Sequence, residues 1–71
     1  MTYTVQELAL QYAEALVRFH EVNYHVEAAR MAHGSALRED ELELRRARDE
    51  MYDAQNALND AAQHQAEQNY A

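Results

Sequence analysis

The stretch from His20 to His25 (His-Glu-Val-Asn-Tyr-His) contains the residue types of a zinc protease site, two histidines and a glutamate. A metalloprotease helix places its histidines four residues apart, so that both reach one metal from the same face, and the glutamate serves as general base. Here the histidines are five residues apart, which turns them about 140° away from each other around a helix. Tyr24 occupies the position that the second ligand needs. We therefore predict a packed helix here, not a zinc site.

The remaining polar residues form no recognisable catalytic motif. Di-iron bundles use a glutamate three residues before a histidine, and none of the four histidines has one. The sequence has no cysteine, no serine patterned with a base and no glycine-rich phosphate loop. We therefore predict no catalytic residues, no metal and no cofactor, and we expect that the protein is not an enzyme.

Composition indicates a small acidic domain that binds other proteins. The 71 residues include thirteen acids against six arginines, giving a net charge of -7. This charge disfavours direct binding to nucleic acid or to an anionic membrane, and it favours a protein partner with a basic or apolar surface. Neither a signal peptide nor an apolar stretch long enough for a membrane span is recognisable, so we expect a cytoplasmic protein. A single domain of this size often needs a second copy for stability.

Signals for helix ends divide the chain into two helices. Thr4 and Glu7 form a capping box, which predicts a helix start just after Thr4. Proline is absent and Gly34 is the only glycine, suited to the left-handed conformation at a helix end. Ser35 is expected to cap the next helix. The predicted single domain, 1–71, has helix one at about 5–33, a turn at 34–35, helix two at about 36–66 and a frayed tail at 67–71.

Heptad spacing predicts how the helices pack. Apolar residues of helix one recur at alternating steps of three and four, as in a coiled coil. Helix two has one narrow seam, starting at Leu37, in which alanines alternate with large residues and permit close packing. Because the turn is short, the predicted fold is all-α, an antiparallel two-helix hairpin that resembles a coiled coil. Its predicted core is Val5, Leu8, Tyr12, Phe19, Val22, Val26, Leu44, Met51 and Leu58.

A second apolar stripe runs along helix one, about 140° around the helix from Val5, Tyr12, Phe19 and Val26 of the first seam. Helix two has only one seam and can cover only one of the two. Exposed large apolar side chains forfeit about 1.5 to 3 kcal/mol each, and monomers rarely show such a patch. We predict that two copies pair through this stripe into a homodimeric four-helix bundle; a heteromeric target or a poorly ordered monomer are the alternatives. The predicted dimer or partner interface is Leu10, Val17, Tyr24 and Met31.

Three further residues are candidates for specific roles. Asn23 lies beside the first seam, where an amide can fix helix register, with ligand binding as the alternative. Arg48 lies one turn before Tyr52, and the two could stack to form a partner-binding patch.

Helical spacing also predicts ion pairs within helix two, between Glu41 and Arg45, Arg45 and Asp49, and Arg46 and Glu50.

The general character of the chain, a tiny acidic hairpin without lysine or catalytic residues, resembles in kind the small inhibitors and adaptors carried by bacteriophages and mobile elements. This resemblance implies an inhibitor or adaptor, and together with the helix faces it leads us to predict a homodimer that binds and occludes a host protein. One alternative is a structural scaffold whose hairpins stack through the second stripe. Another is a DNA mimic that uses Glu7, Glu14 and Glu21, although their spacing of about 10.5 Å is sparse for imitating phosphates.

Overall fold

Two long helices form the whole architecture in a computed structural model, which describes residues 3–70. Helix α1 spans Val5–His33 and helix α2 spans Arg38–Tyr70. The short connection at 34–37 forces them to run antiparallel, and they pack against each other in a rod of 56 × 18 × 14 Å. The predicted all-α two-helix hairpin is therefore confirmed. Neither helix contains, within the described residues, an apolar segment long enough to cross a membrane.

The ends of α1 follow the capping signals in the sequence. The Glu7 amide donates to Thr4 Oγ1 at 3.1 Å, and the Thr4 amide donates to Glu7 Oε1 at 3.3 Å, which completes the capping box. At the other end Gly34 adopts a left-handed conformation with φ of 79°, and its N–H donates to the Arg30 carbonyl at 2.7 Å. A side chain at this φ would be strained, so glycine ends the helix here.

The start of α2 differs from the prediction by two residues. The helix begins at Arg38 rather than at about 36, and the Glu41 amide donates to the Leu37 carbonyl at 3.1 Å. Leu37, and not Ser35, is the residue directly before the helix, so the prediction of a serine cap is wrong. Acidic residues in the first turn, beginning with Glu39, favour the helix by interacting with its positive dipole end.

The far end of α2 remains helical where a frayed tail was predicted. The helix continues through Tyr70, and only Ala71 of that tail lies outside the described residues. The side-chain Nε2 of Gln63 donates to Glu67 Oε1 at 3.2 Å, and Gln68 Nε2 lies 3.1 Å from His64 Nε2. Such pairs one turn apart stabilise a helix even where the apolar pattern has ended. The alanine, glutamine and glutamate residues of this segment also have good helix propensity.

The interior of the hairpin is a thin seam between the two helices. Val26 and Ala47 are each 1% exposed, and Met51 is 8% exposed. Ala47 has the smallest side chain of the three, which lets the helix backbones approach closely. Leu37, by contrast, is 70% exposed because it precedes the first turn of α2, so it does not extend the seam. The other predicted core residues are half-buried: Val5, Leu8, Tyr12, Phe19, Val22, Leu44 and Leu58.

Candidate interaction surfaces

The side of α1 that faces away from α2 carries a row of exposed apolar side chains, which we term the outer face. Its spacing of seven residues keeps the row on one side of the helix, opposite the seam that packs on α2. The row begins in the second turn of α1 and ends in its last turn, so it runs along most of the helix. Exposure is 61% for Leu10, 57% for Val17, 72% for Tyr24 and 87% for Met31.

Shallow depressions lie between the large side chains of the outer face. One, of about 420 Å³, is lined by Val17 and Tyr24 together with polar neighbours that include His20. A second, of about 330 Å³, is lined by Val17 and Ala13 together with charged neighbours. Alternating ridges and hollows of this kind are how a helix surface receives the side chains of another helix.

The histidines of the opening motif lie on the surface of α1 beside aromatic rings. The ring centroid of His20 is 5.4 Å from that of Phe19, and the ring of His25 is 5.9 Å from that of Tyr24 in an edge-on arrangement. Both histidines are exposed. Within residues 3–70, no three histidine or carboxylate side chains come together in a group that could hold a metal ion.

Arg30 joins the two helices near the turn. Its Nη1 donates to Glu27 Oε1 at 2.7 Å on the same helix, and its Nη2 donates to Glu41 Oε1 at 2.8 Å on α2. The hydrogen bond that Arg30 donates to Glu41 raises the pKa of the Arg30 guanidinium, and the charges of Glu41 and Glu27 act in the same direction, while partial desolvation opposes them. Because a raised arginine pKa lies far above neutral pH, Arg30 keeps its charge in this cluster under all ordinary conditions.

Arg18 forms a second, looser link between the helices. It lies 4.0 Å from a Glu43 oxygen and 3.9 Å from a Glu50 oxygen. Together with the Arg30 cluster, this link uses carboxylates that were predicted to pair along α2. None of the three predicted pairs within α2 forms among the described residues. Glu41 and Glu50 contact arginines of α1 instead, which accounts for two of the three. Sequence spacing along one helix could not reveal these contacts between helices.

A groove between the helices, which we term the arginine groove, lies on the edge that contains Arg30. Its volume is about 520 Å³. The exposed side chains of Arg38, Arg45 and Arg48 line it, and within residues 3–70 none of them forms an ion pair. The full lining is Asn23, Arg30, Arg38, Glu41, Leu42, Leu44, Arg45 and Arg48.

The remaining candidate residues lie in or beside this groove. Asn23 is half-buried and lines the groove, and its side chain forms no hydrogen bond within the described part of the chain. Its role in register stays a prediction. Tyr52 is 50% exposed one turn beyond Arg48, but the two side chains do not stack within residues 3–70. The predicted patch is therefore two separate exposed side chains in this structure.

Comparison with known proteins gives no assignment: no protein-family model, curated protein or solved structure matches the chain. The outer face of α1 and the arginine groove are therefore the features from which a function is argued.

Proposed function

We propose that the protein is a binding module in which two hairpins pair through the outer face of α1, and that the dimer acts as an inhibitor or adaptor by covering a surface of a host protein. The observation that supports pairing is the row of exposed large side chains from Leu10 to Met31. Burial of such side chains is worth about 1.5 to 3 kcal/mol each, so a covered outer face is strongly favoured over a hydrated one.

The position of the outer face suggests how the dimer would be arranged. It lies about 140° around α1 from Val5, Tyr12, Phe19 and Val26, one row of the seam that contacts α2, and this angle is wider than the right angle between neighbours in a square bundle. Each α1 would therefore lie between its own α2 and the α1 of the second copy. A helix with apolar side chains on two sides is typical of such an inner position, whereas α2, with one apolar seam, is suited to the outside.

A binding function also suits the shape of the hairpin. The depressions on the rod are shallow and open, whereas enzymes usually enclose most of a small substrate. Long exposed helix faces are instead the kind of surface by which helical proteins dock on each other. We therefore propose action by occlusion of a partner and not by catalysis.

Two alternative functions differ in their support. A scaffold of stacked hairpins uses the same outer face and predicts growth beyond a dimer. DNA mimicry is less favoured, because the Glu7 carboxylate is held in the capping box by Thr4, which leaves only Glu14 and Glu21 of the acidic row free to act as surrogate phosphates.

Light scattering at tens of micromolar tests the dimer with a matched pair of tyrosine variants. Tyr24→Gln removes a large side chain from the outer face and should weaken association about tenfold or more. Tyr52→Gln removes an exposed tyrosine from α2 and should leave the mass unchanged. A wild-type protein that stays monomeric while melting cooperatively would contradict the dimer.

Affinity capture tests the second part of the proposal, the host partner. With the wild-type protein as bait, it should recover a specific protein from the lysate of the native host.

A further inference from the structure

We infer that the arginine groove is a docking site for an acidic segment of a partner protein. This inference deepens the proposed function, on which it rests for the idea that the hairpin binds a protein, and it names the chemistry of the segment bound. It differs from the expectation drawn from net charge, which favoured a basic partner surface. The reason is that charge is unevenly divided between the two edges of the hairpin.

The one acid that lines the groove, Glu41, is already engaged by an arginine of α1. Glu41 lies one turn before Arg45 and could neutralise it, but Glu41 Oε1 accepts from Arg30 at 2.8 Å. Arg30 also holds Glu27 at 2.7 Å. The remaining guanidinium groups of the groove, including that of Arg48, therefore face solvent without a carboxylate partner in the described residues.

The opposite edge of the hairpin shows the contrast. There, a depression of about 430 Å³ is lined by Arg18 and Arg46 together with Glu39, Glu43 and Glu50, and two of these glutamates lie within 4.0 Å of Arg18. Acids exceed bases on that edge, whereas four arginines and one glutamate line the arginine groove. A locally positive groove on a protein of net charge -7 is a site where an acidic ligand finds complementary charge.

Spacing along α2 determines what kind of acidic ligand fits. Arg38 and Arg45 are seven residues apart, about 10.5 Å along the helix axis, and Arg48 is one turn beyond Arg45. Each guanidinium can donate two parallel hydrogen bonds to a carboxylate. A helical segment with acids one heptad apart matches this separation. Asn23 in the groove lining adds an amide that can form hydrogen bonds with polar groups of the segment.

Nucleic acid is a poorer match than an acidic protein segment. Duplex DNA carries one negative charge per ~1.7 Å and extends far beyond the groove, so most of it would face the acidic remainder of the protein. A short peptide can keep its carboxylates within the groove. Charges beyond about 8 Å are largely screened at physiological ionic strength, so the nearby arginines dominate its binding.

Fluorescence anisotropy of fluorescein-labelled octaglutamate, titrated with the full chain, tests the inference with variants of two adjacent residues. Arg45→Gln removes a charge from the groove, whereas Arg46→Gln removes the same charge from the opposite edge. We expect saturable binding with a Kd below about 1 mM. Arg45→Gln and Arg48→Gln should each raise this Kd about fivefold, and Arg46→Gln should change it less than about twofold. Circular dichroism of each variant should show the helix content of the wild type.

Three outcomes would overturn the inference. The first is an absence of saturable octaglutamate binding, and the second is equal weakening of that binding by Arg45→Gln and Arg46→Gln. The third is that a thymidine oligonucleotide of eight nucleotides binds more tightly than octaglutamate, with the same dependence on Arg45. A repeat with Tyr24→Gln separates this test from the dimer, because the outer face and the groove use different residues. If the protein is monomeric but octaglutamate still binds at Arg45, the dimer fails and the groove stands.

Discussion

The two apolar faces of α1 have similar sequence patterns and different surroundings. Both repeat at heptad spacing and both contain large side chains, yet Val26 on the inner face is buried while Val17 on the outer face is 57% exposed. The difference arises from α2, which has a single apolar seam and can cover only one face. An apolar pattern therefore shows that a face needs covering, but the number of seams on the neighbouring helix determines which face is covered within the chain.

The largest expected difference between the faces concerns two methionines. Met51 is the residue of α2 that is buried in the seam against the inner face of α1, and Met31 lies on the outer face of α1. Met51→Ala should lower the free energy of unfolding by about 2 to 5 kcal/mol, because it leaves a cavity between the helices, and Phe19→Ala or Leu44→Ala should fall in the same range. Met31→Ala should change it by less than about 0.5 kcal/mol in dilute, monomeric samples. Urea unfolding measures both, and equal losses at Met51 and Met31 would erase the distinction between the faces.

A smaller effect is expected from enlarging an alanine. Ala47 is 1% exposed where the helices approach, so Ala47→Leu should cost about 1 to 3 kcal/mol by forcing them apart. Ala57 is exposed on the same helix, and Ala57→Leu provides the matched control with no expected loss. Thermal melts of the two variants report the difference. If Ala47→Leu melts like the control, the helices are not in close contact at this point.

The smallest effect on stability is expected at Asn23, on the edge of the inner face. Asn23→Leu should change the free energy of unfolding by no more than about 0.5 kcal/mol, because the amide is half-buried and forms no hydrogen bond within residues 3–70. If Asn23 fixes the register, the variant should instead show a second set of amide resonances by NMR, while the exposed control Asn56→Leu shows one. A single set for Asn23→Leu would remove the register role.

Sequence reasoning was most successful where a signal is local. Capping at Thr4 and the left-handed Gly34 determine the ends of α1, and each depends on only a few neighbouring residues. The start of α2 was less predictable. Serine is a favoured N-cap residue, so the sequence indicates a start after Ser35, whereas the path of the turn makes the helix begin at Arg38. The helical tail was missed because it lacks an apolar period and depends on side-chain hydrogen bonds such as that from Gln63 to Glu67.

Contacts between helices were beyond local reasoning. The pairs of Arg30 with Glu41 and of Arg18 with Glu50 depend on how the helices face each other across the seam. The arginine groove depends on the first of these pairs, because Glu41, once it is held by Arg30, is no longer available to Arg45. Once a hairpin register is assumed, the position of Arg30 on the rim of the inner face is the signal that could have suggested its contact with α2.

An isotope-filtered NOE experiment on a mixture of labelled and unlabelled chains tests most directly whether a second copy covers the outer face. The account predicts intermolecular NOEs from the methyl groups of Leu10 and Val17 and from the ring of Tyr24, and none from the buried side chain of Met51. Intermolecular NOEs confined to α2, or none from the outer face at concentrations where the mass is that of a dimer, would contradict it.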